Sequence, residues 1–233
     1  LHAADALHPS RIVAVVGHGR DQVGPAAETI GEELDAELAI AVQEEQNGTG
    51  DAVAAGMTQL EDFEGTVIVT NADVPLLTGD TLTELLAAHT EVPTAVTVLT
   101  MEEADPTGYG RTIRNDAGEV TAIIEEKDAT AEQKRVTEVN SGVFAFDAGV
   151  LRDALTRLHT DNAQGELYLT DVLGIARADG HPVRAHLAAD ARELAGVNDR
   201  VQLAAAGREL NRRTVEAAMR GGATVVDPLT TWI

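Results

Sequence analysis

Short apolar runs alternate with amphipathic segments along the first half of the chain. RIVAVVGHG (11–19) has the profile of a buried strand closed by glycines, and residues 23–34 that of a helix. LAIAV (38–42) predicts a second strand, and 49–60 a second helix. TVIVTNADVP (66–75) is the clearest strand, rich in β-branched residues and closed by Pro75. TLTELLAAH (81–89) predicts a helix and TAVTVLTM (94–101) the next strand. Strands alternating with helices in this way predict an α/β domain with a largely parallel, helix-covered sheet.

The rhythm then changes. GRTIRNDAGEVTAIIEE predicts a β-hairpin turning at Asn115–Gly118, and TEVNSGVFAF a further strand. Helices are expected at 147–158 and 166–179, with PVRAHLA (182–188) as a strand between them and the end of the domain. Residues 199–220 form a long charged pattern that stops at Gly221-Gly222, its arginines placed where they complement the helix dipole. ATVVDPLTTWI (223–233) follows as a short strand-like piece.

Composition narrows the function classes. The 233 residues are 44% hydrophobic, enough for one large domain or a domain with an appendage. Lys+Arg number 17 against 39 Asp+Glu, a net charge of -22. Such a surface repels nucleic-acid phosphates and anionic membranes, so neither is an expected partner. It repels a free triphosphate as well, so a phosphate ligand needs backbone N–H groups, local cations or a metal. The strong acidity is also what a salt-rich habitat would select. The chain has no cysteine, which excludes disulfides, thiol catalysis and thiolate metal sites and fits a cytoplasmic location. No apolar run approaches a membrane span, and LHAADALHPSR lacks the build of a signal peptide. The first residue is Leu, read as natural N-terminal residues lying outside this chain. The sequon Asn47-Gly48-Thr49 carries little weight.

Several short stretches carry chemistry, each with an ordinary structural alternative. Gly48-Thr49-Gly50 sits where a strand gives way to a helix. Glycine there lets a ligand approach exposed N–H groups, but taken alone the stretch is better explained as a tight turn capped by Thr49 or Asn47. No Walker A lysine follows, and GHGRDQVG does not space its glycines as a dinucleotide fingerprint does. Asp73, at the carboxyl end of a strand, is placed either to hold Mg²⁺ against phosphates or to form a turn before Pro75. DPTGYGR (105–111) reads as a glycine-containing loop, and IIEEKDA (123–129) as a solvated face with Lys127 beside two carboxylates. Asn140 lies in an apolar strand pattern and needs a partner, in the core or on a ligand. Asn198 precedes the long helix and could cap it. No HExxH and no GxSxG occurs, which argues against zinc and serine hydrolases.

The order of the stretches is more specific than any one of them. QEEQNGTG, NADVPLL, DPTGYGR, IIEEKDA, EVNSGVF, NAQGELYLTD and AGVNDR follow one another over essentially the whole chain. In this order the chain resembles the uridyltransferase domain of the bifunctional bacterial N-acetylglucosamine-1-phosphate uridyltransferase / glucosamine-1-phosphate acetyltransferases. The resemblance implies a Rossmann-like nucleotide-diphospho-sugar transferase fold with a mixed, mostly parallel sheet. It also implies UTP and N-acetylglucosamine-1-phosphate as substrates, Mg²⁺ as cofactor and a role in cell-wall precursor synthesis.

Residue by residue, it implies that Gln43 and the Gly48-Thr49 backbone hold the uracil, with Asn71 and Ala72 lining the nucleotide site. Asp73 and Asn198 would be the catalytic metal ligands. Gly110, Glu125, Asn140 and Asn198 would meet the sugar phosphate. The pair Asn71-Ala72 departs from the family, which often has Tyr-Gly there. The family's Arg- and Lys-bearing phosphate loop and the strand before it are not found in this sequence, and Lys127 does not replace them. This chain alone is therefore expected to be nearly inactive. The resemblance divides it into a uridyltransferase domain over 1–200, a linker helix over 201–221 and the start of a left-handed β-helix over 222–233. The acetyltransferase part is expected to be absent. The family trimerises through that β-helix, and this chain is not expected to. A related enzyme for another sugar or nucleotide, or a non-catalytic nucleotide-sugar-binding module, are the alternatives.

Overall fold

The computed structural model describes residues 1–233. The chain divides into two compact units, one of residues Leu1–Thr70 and Thr78–Ala189, the other of Asn71–Leu77 and Asp190–Ile233.

In the first unit a short helix α1 (His2–Asp5) leads to β1 (Ile12–Val16), α2 (Arg20–Gly31), β2 (Leu38–Val42) and α3 (Thr49–Met57). β3 (Thr66–Val69), α4 (Gly79–Thr90) and β4 (Val96–Glu102) follow. The hairpin β5 (Arg111–Arg114) and β6 (Val120–Ile124) turns at Asn115–Gly118 as expected. Asn115 Oδ1 accepts from the N–H groups of Ala117 and Glu119, and Gly118 takes φ +80°. β7 (Glu138–Asp147), α5 (Ala148–Leu155), α6 (Asp171–Ala178) and β8 (Val183–Leu187) complete the unit. Each element predicted for this unit is present, but TVIVTNADVP is strand only as far as Val69, and the helix predicted from 166 begins at Asp171.

β1 and β2 form a two-stranded parallel sheet, and the other strands a six-stranded sheet in the order β6-β5-β7-β4-β8, with β3 also on β7. The sheet is mixed, but its parallel share is smaller than the strand–helix rhythm suggests. Only β1–β2 and β4–β8 are parallel pairs. β7 runs antiparallel to β3, β4 and β5. The crossover helix α4 does make β3 and β4 run in the same direction, but β7 inserts between them. Local pattern sets direction, whereas neighbourhood is set by a strand some 70 residues later (Ile68 pairs with Ala145).

The core lies where β4 and β7 meet α5 and α6. Val96, Val98, Phe146, Leu151, Val172 and Leu173 are fully buried, and Phe144 and Phe146 stack with ring centroids 5.3 Å apart. The β4–β7 register slips between Leu99 and Thr100, which pair with Val143 and Asn140. Ser141 and Gly142 form the bulge, with Gly142 at φ +79° and Ser141 Oγ donating to Leu99 O at 2.6 Å.

His89 of α4 is 4% exposed, and its Nδ1 lies 2.9 Å from Thr97 Oγ1. Burial holds its pKa below the ordinary value, against the opposing pull of Asp147. The unfolded chain therefore takes up this proton first. Stability from this group is complete above about pH 6.5 and is lost as pH falls from there toward the lowered folded value. Unfolding free energies from urea titrations at pH 7.5 and 5.5 are expected to differ by up to about 1 kcal/mol more in the parent than in His89→Gln. Equal differences would rule out this contribution.

In the second unit, α7 (Arg200–Arg220) starts in a capping box: Asp199 Oδ1 accepts from Val201 N and Gln202 N, both at 2.8 Å. Arg213 Nη1 donates to Leu76 O at 3.1 Å, holding the 71–77 segment to the helix. The expected strand at 223–233 is absent: the segment is irregular, with a single turn at 228–230. Asn211, 8% exposed, donates to Thr231 O at 2.7 Å and accepts from Ile233 N at 3.0 Å, so the tail folds back on α7. No helix of the chain is long and apolar enough to cross a membrane.

Candidate nucleotide and sugar site

Gln43 leaves the end of β2, its N–H donating to Val16 O of β1 at 2.8 Å. Gly48 is the N-cap of α3 at φ 114°, ψ -179°, a conformation open to glycine alone. A Cβ there would lie 2.6 Å from Leu167 O, so the loop is also too tightly packed for a side chain. Neither Thr49 nor Asn47 caps the helix, contrary to the capped-turn alternative. Thr49 Oγ1 instead accepts from Leu169 N at 3.0 Å. Asn47 O and Gly50 N are bound to the N–H and carbonyl of Leu167, at 2.7 and 2.8 Å. The N–H groups of Gly48 and Thr49 lie between those two anchors. An open depression of about 290 Å³ is lined there by Gln43, Gln46, Gly48, Thr49, Ala52 and Glu166.

The same 167–170 segment reaches the second group of residues. Thr170 Oγ1 donates to Glu125 Oε1 at 3.0 Å. Asn140 N donates to Gly110 O at 2.8 Å, and a Cβ on Gly110 would lie 3.4 Å from both Glu125 carboxylate oxygens. Gly110, directly before β5, Glu125, directly after β6, and Asn140 of β7 thus come together. The bulge aims Asn140: its Oδ1 accepts from Gly142 N at 2.9 Å, which uses the oxygen and not the Nδ2 donors. Burial pushes the Glu125 carboxyl above the usual range. The Thr170 bond opposes this, and Asp171, Asp128 and Glu166 add to the rise.

IIEEKDA is not the solvated face its composition suggests. Glu125 is half-buried, and Glu126 Oε2 lies 2.6 Å from Nη2 of Arg111, whose side chain is 2% exposed. The contact is an ion pair too misaligned for a hydrogen bond. Arg111 also donates to Tyr109 O, which fixes the backbone directly before Gly110. Lys127 Nζ binds Gln164 Oε1.

Asp73 does not end a strand. It lies on a loop past β3, in the second unit, with Asn71 and Ala72 exposed beside it. Val197 N donates to Asp73 O at 2.8 Å, which brings Asn198 to the same place. A Cβ on Gly196 would lie 3.8 Å from Asp73 Oδ2 and 3.7 Å from Asn198 Nδ2, so both side chains end within 4 Å of one point. Asp199, not Asn198, caps α7, so the Asn198 carboxamide is not used for capping. One carboxylate and one carboxamide oxygen, presented by turning the amide over, are hard donors suited to Mg²⁺ completed by phosphate and water.

Residues 10–199 match the family model described as Nucleotidyl transferase. The chain belongs to this family. Proteins named Bifunctional protein GlmU are its close relatives: 74% identical over 233 residues in Corynebacterium efficiens and 75% in Corynebacterium glutamicum, each match covering 100% of this chain and 48% of the relative. A protein of the same name from Rhodococcus opacus is 57% identical over 237 residues, covering 47% of its length. The resemblance seen in the order of motifs is therefore borne out, and the chain spans about half the length of the curated relatives it matches. A crystal structure of a UDP-glucose pyrophosphorylase complexed with UDP-glucose superposes with a TM-score of 0.59 at 15% identity, covering 80% of this chain and 76% of that one. That likeness shows the nucleotidyl transferase fold.

Sequence reasoning singled out NAQGELYLTD without assigning a role to any of its residues. In this nucleotidyl transferase the motif's Leu167–Thr170 stretch ties the Gly48 loop to Glu125. The paired backbone and hydroxyl contacts that do this leave no mark in composition.

Proposed function

We propose that the first unit holds a uridine nucleotide at Gln43, Gly48 and Thr49 and an N-acetylglucosamine phosphate at Gly110, Glu125 and Asn140. Asp73 and Asn198 of the second unit would hold Mg²⁺, with Asn71 and Ala72 preceding Asp73 on the same loop. The observation that carries this reading is the Leu167–Thr170 bridge, which binds the Gly48 loop at one end and Glu125 at the other. Within one hydrogen-bonded stretch it serves two adjoining subsites, one with backbone donors for a base and one with polar side chains for a sugar.

The reaction is uridylyl transfer. A phosphate oxygen of the sugar-1-phosphate bonds to the α-phosphorus of UTP, the α–β bridging P–O bond breaks, and pyrophosphate leaves. The nucleophile is already an anion, so a strong general base is unnecessary. Gln43 and the Gly48-Thr49 N–H groups fix the base, while Gly110, Glu125 and Asn140 fix the sugar, so that the two reactants meet in line. Mg²⁺, where Asp73 and Asn198 hold it, would offset the repulsion between the anions and the charge that develops on the leaving group. A protein of net charge -22 needs that offset.

The test is pyrophosphate release from UTP and N-acetylglucosamine-1-phosphate with Mg²⁺. It is run on this chain and on one extended to the length of its relatives. The extended chain is expected to be active and the present one nearly silent. Preference for dTTP or glucose-1-phosphate would replace the substrate assignment, and silence from both folded proteins would leave a binding module.

A further inference from the structure

The Gln43 carboxamide is held from one side. Its Nε2 donates to Gly48 O at 3.1 Å and to Asp51 Oδ2 at 2.8 Å. Both of these partners are acceptors only, a carbonyl and a carboxylate, so the amide cannot turn over without setting its oxygen against two others. Both Nε2 protons are thereby committed, and what Gln43 offers a ligand is Oε1, a pure acceptor. That oxygen faces Gly17, a position with no side chain: a Cβ built there would lie 3.7 Å from it.

Asp51 sits in the first turn of α3, where a carboxylate also suits the helix dipole, so dipole stabilisation alone would explain its residue type. It would not explain an oxygen directed at Gln43 Nε2 at charge-assisted hydrogen-bond distance.

We infer that Asp51 is a positioning residue for base selection: it locks the Gln43 carboxamide with its oxygen toward the nucleotide, so that the site accepts a base edge presenting an N–H donor. Uracil has such a donor at ring N3, whereas cytosine has an acceptor there. This rests on the reading of Gln43 as a base contact. Asp51 acts through Gln43 and does not touch the base.

The experiment uses the 233-residue chain, its Asp51→Ala and Asp51→Asn variants, and two readouts. Without ligand, the Gln43 side-chain amide is followed by ¹⁵N NMR. It is expected to be ordered in the parent and in Asp51→Asn, whose Oδ1 still accepts, and mobile in Asp51→Ala. Calorimetry with UDP and CDP then gives an affinity ratio. The parent is expected to favour UDP by tenfold or more, and Asp51→Ala to lose about tenfold of that ratio while Asp51→Asn keeps it. Loss of the Asp51 charge helps both diphosphates alike, so the ratio, not either affinity, reads the lock. A Gln43 amide equally ordered in Asp51→Ala, or an unchanged ratio in that variant, overturns the inference while base reading by Gln43 stands. A parent that does not prefer UDP removes the underlying reading itself.

Discussion

Replacing Asp73 by alanine, in a chain extended to the length of its relatives, is expected to lower uridylyl transfer about 1000-fold at millimolar Mg²⁺. The reason is charge. A metal held at the reacting phosphates supplies several kcal/mol of transition-state stabilisation, and about 4 kcal/mol corresponds to a thousandfold in rate. Asp73 is the only anionic donor of the pair, Asn198 being neutral. Asn198→Ala should therefore cost less and appear chiefly as a higher Mg²⁺ requirement. Asp73 is exposed, and its loop is held through its backbone carbonyl by Val197 N, so the alanine variant keeps its fold. Full activity with an unchanged Mg²⁺ dependence in Asp73→Ala would place the metal elsewhere.

Replacing Arg111 by methionine is expected to cost about 2–3 kcal/mol of stability, toward the low end for breaking a buried ion pair because Glu126 is 27% exposed. In a domain of this size the melting temperature would fall by roughly 4–12 °C. The variant strands the Glu126 carboxylate and releases the Tyr109 carbonyl, so it also loosens the backbone that carries Gly110. The double variant Arg111→Met with Glu126→Gln removes the stranded charge and should recover about half of the stability. It does not restore the hold on Tyr109, so KM for the sugar phosphate should stay raised while KM for UTP does not move. Denaturation and steady-state kinetics on the three proteins separate the two roles. A single variant within about 0.5 kcal/mol of the parent would mean that the ion pair contributes nothing.

Much of the local structure was legible in the sequence because it rests on short-range physics. β-branched alternation marked β3, β4 and β7, the Asn115–Gly118 turn marked the hairpin, and the glycine pair marked the end of α7. Boundaries failed where the deciding partner is distant. TNADVP looked like a continuation of β3, yet β3 stops at Val69, where its pairing with Phe144 ends, and Asp73 is placed by Val197. Asn198 looked like a helix cap, but its neighbour Asp199 has the geometry to reach two N–H groups at once.

By itself the sequence determined the α/β class, the inventory of elements, the acidic surface and, through the order of its motifs, the family. Tertiary structure alone decided which of those motifs touch. It placed β7 between β3 and β4, raised the bulge that aims Asn140 and laid Leu167–Thr170 across the Gly48 loop and Glu125. It also turned Asp51 from a helix-start carboxylate into the partner of Gln43. Such contacts join residues far apart in the chain, or depend on the rotamer of one side chain against another, and neither residue type nor periodicity records either.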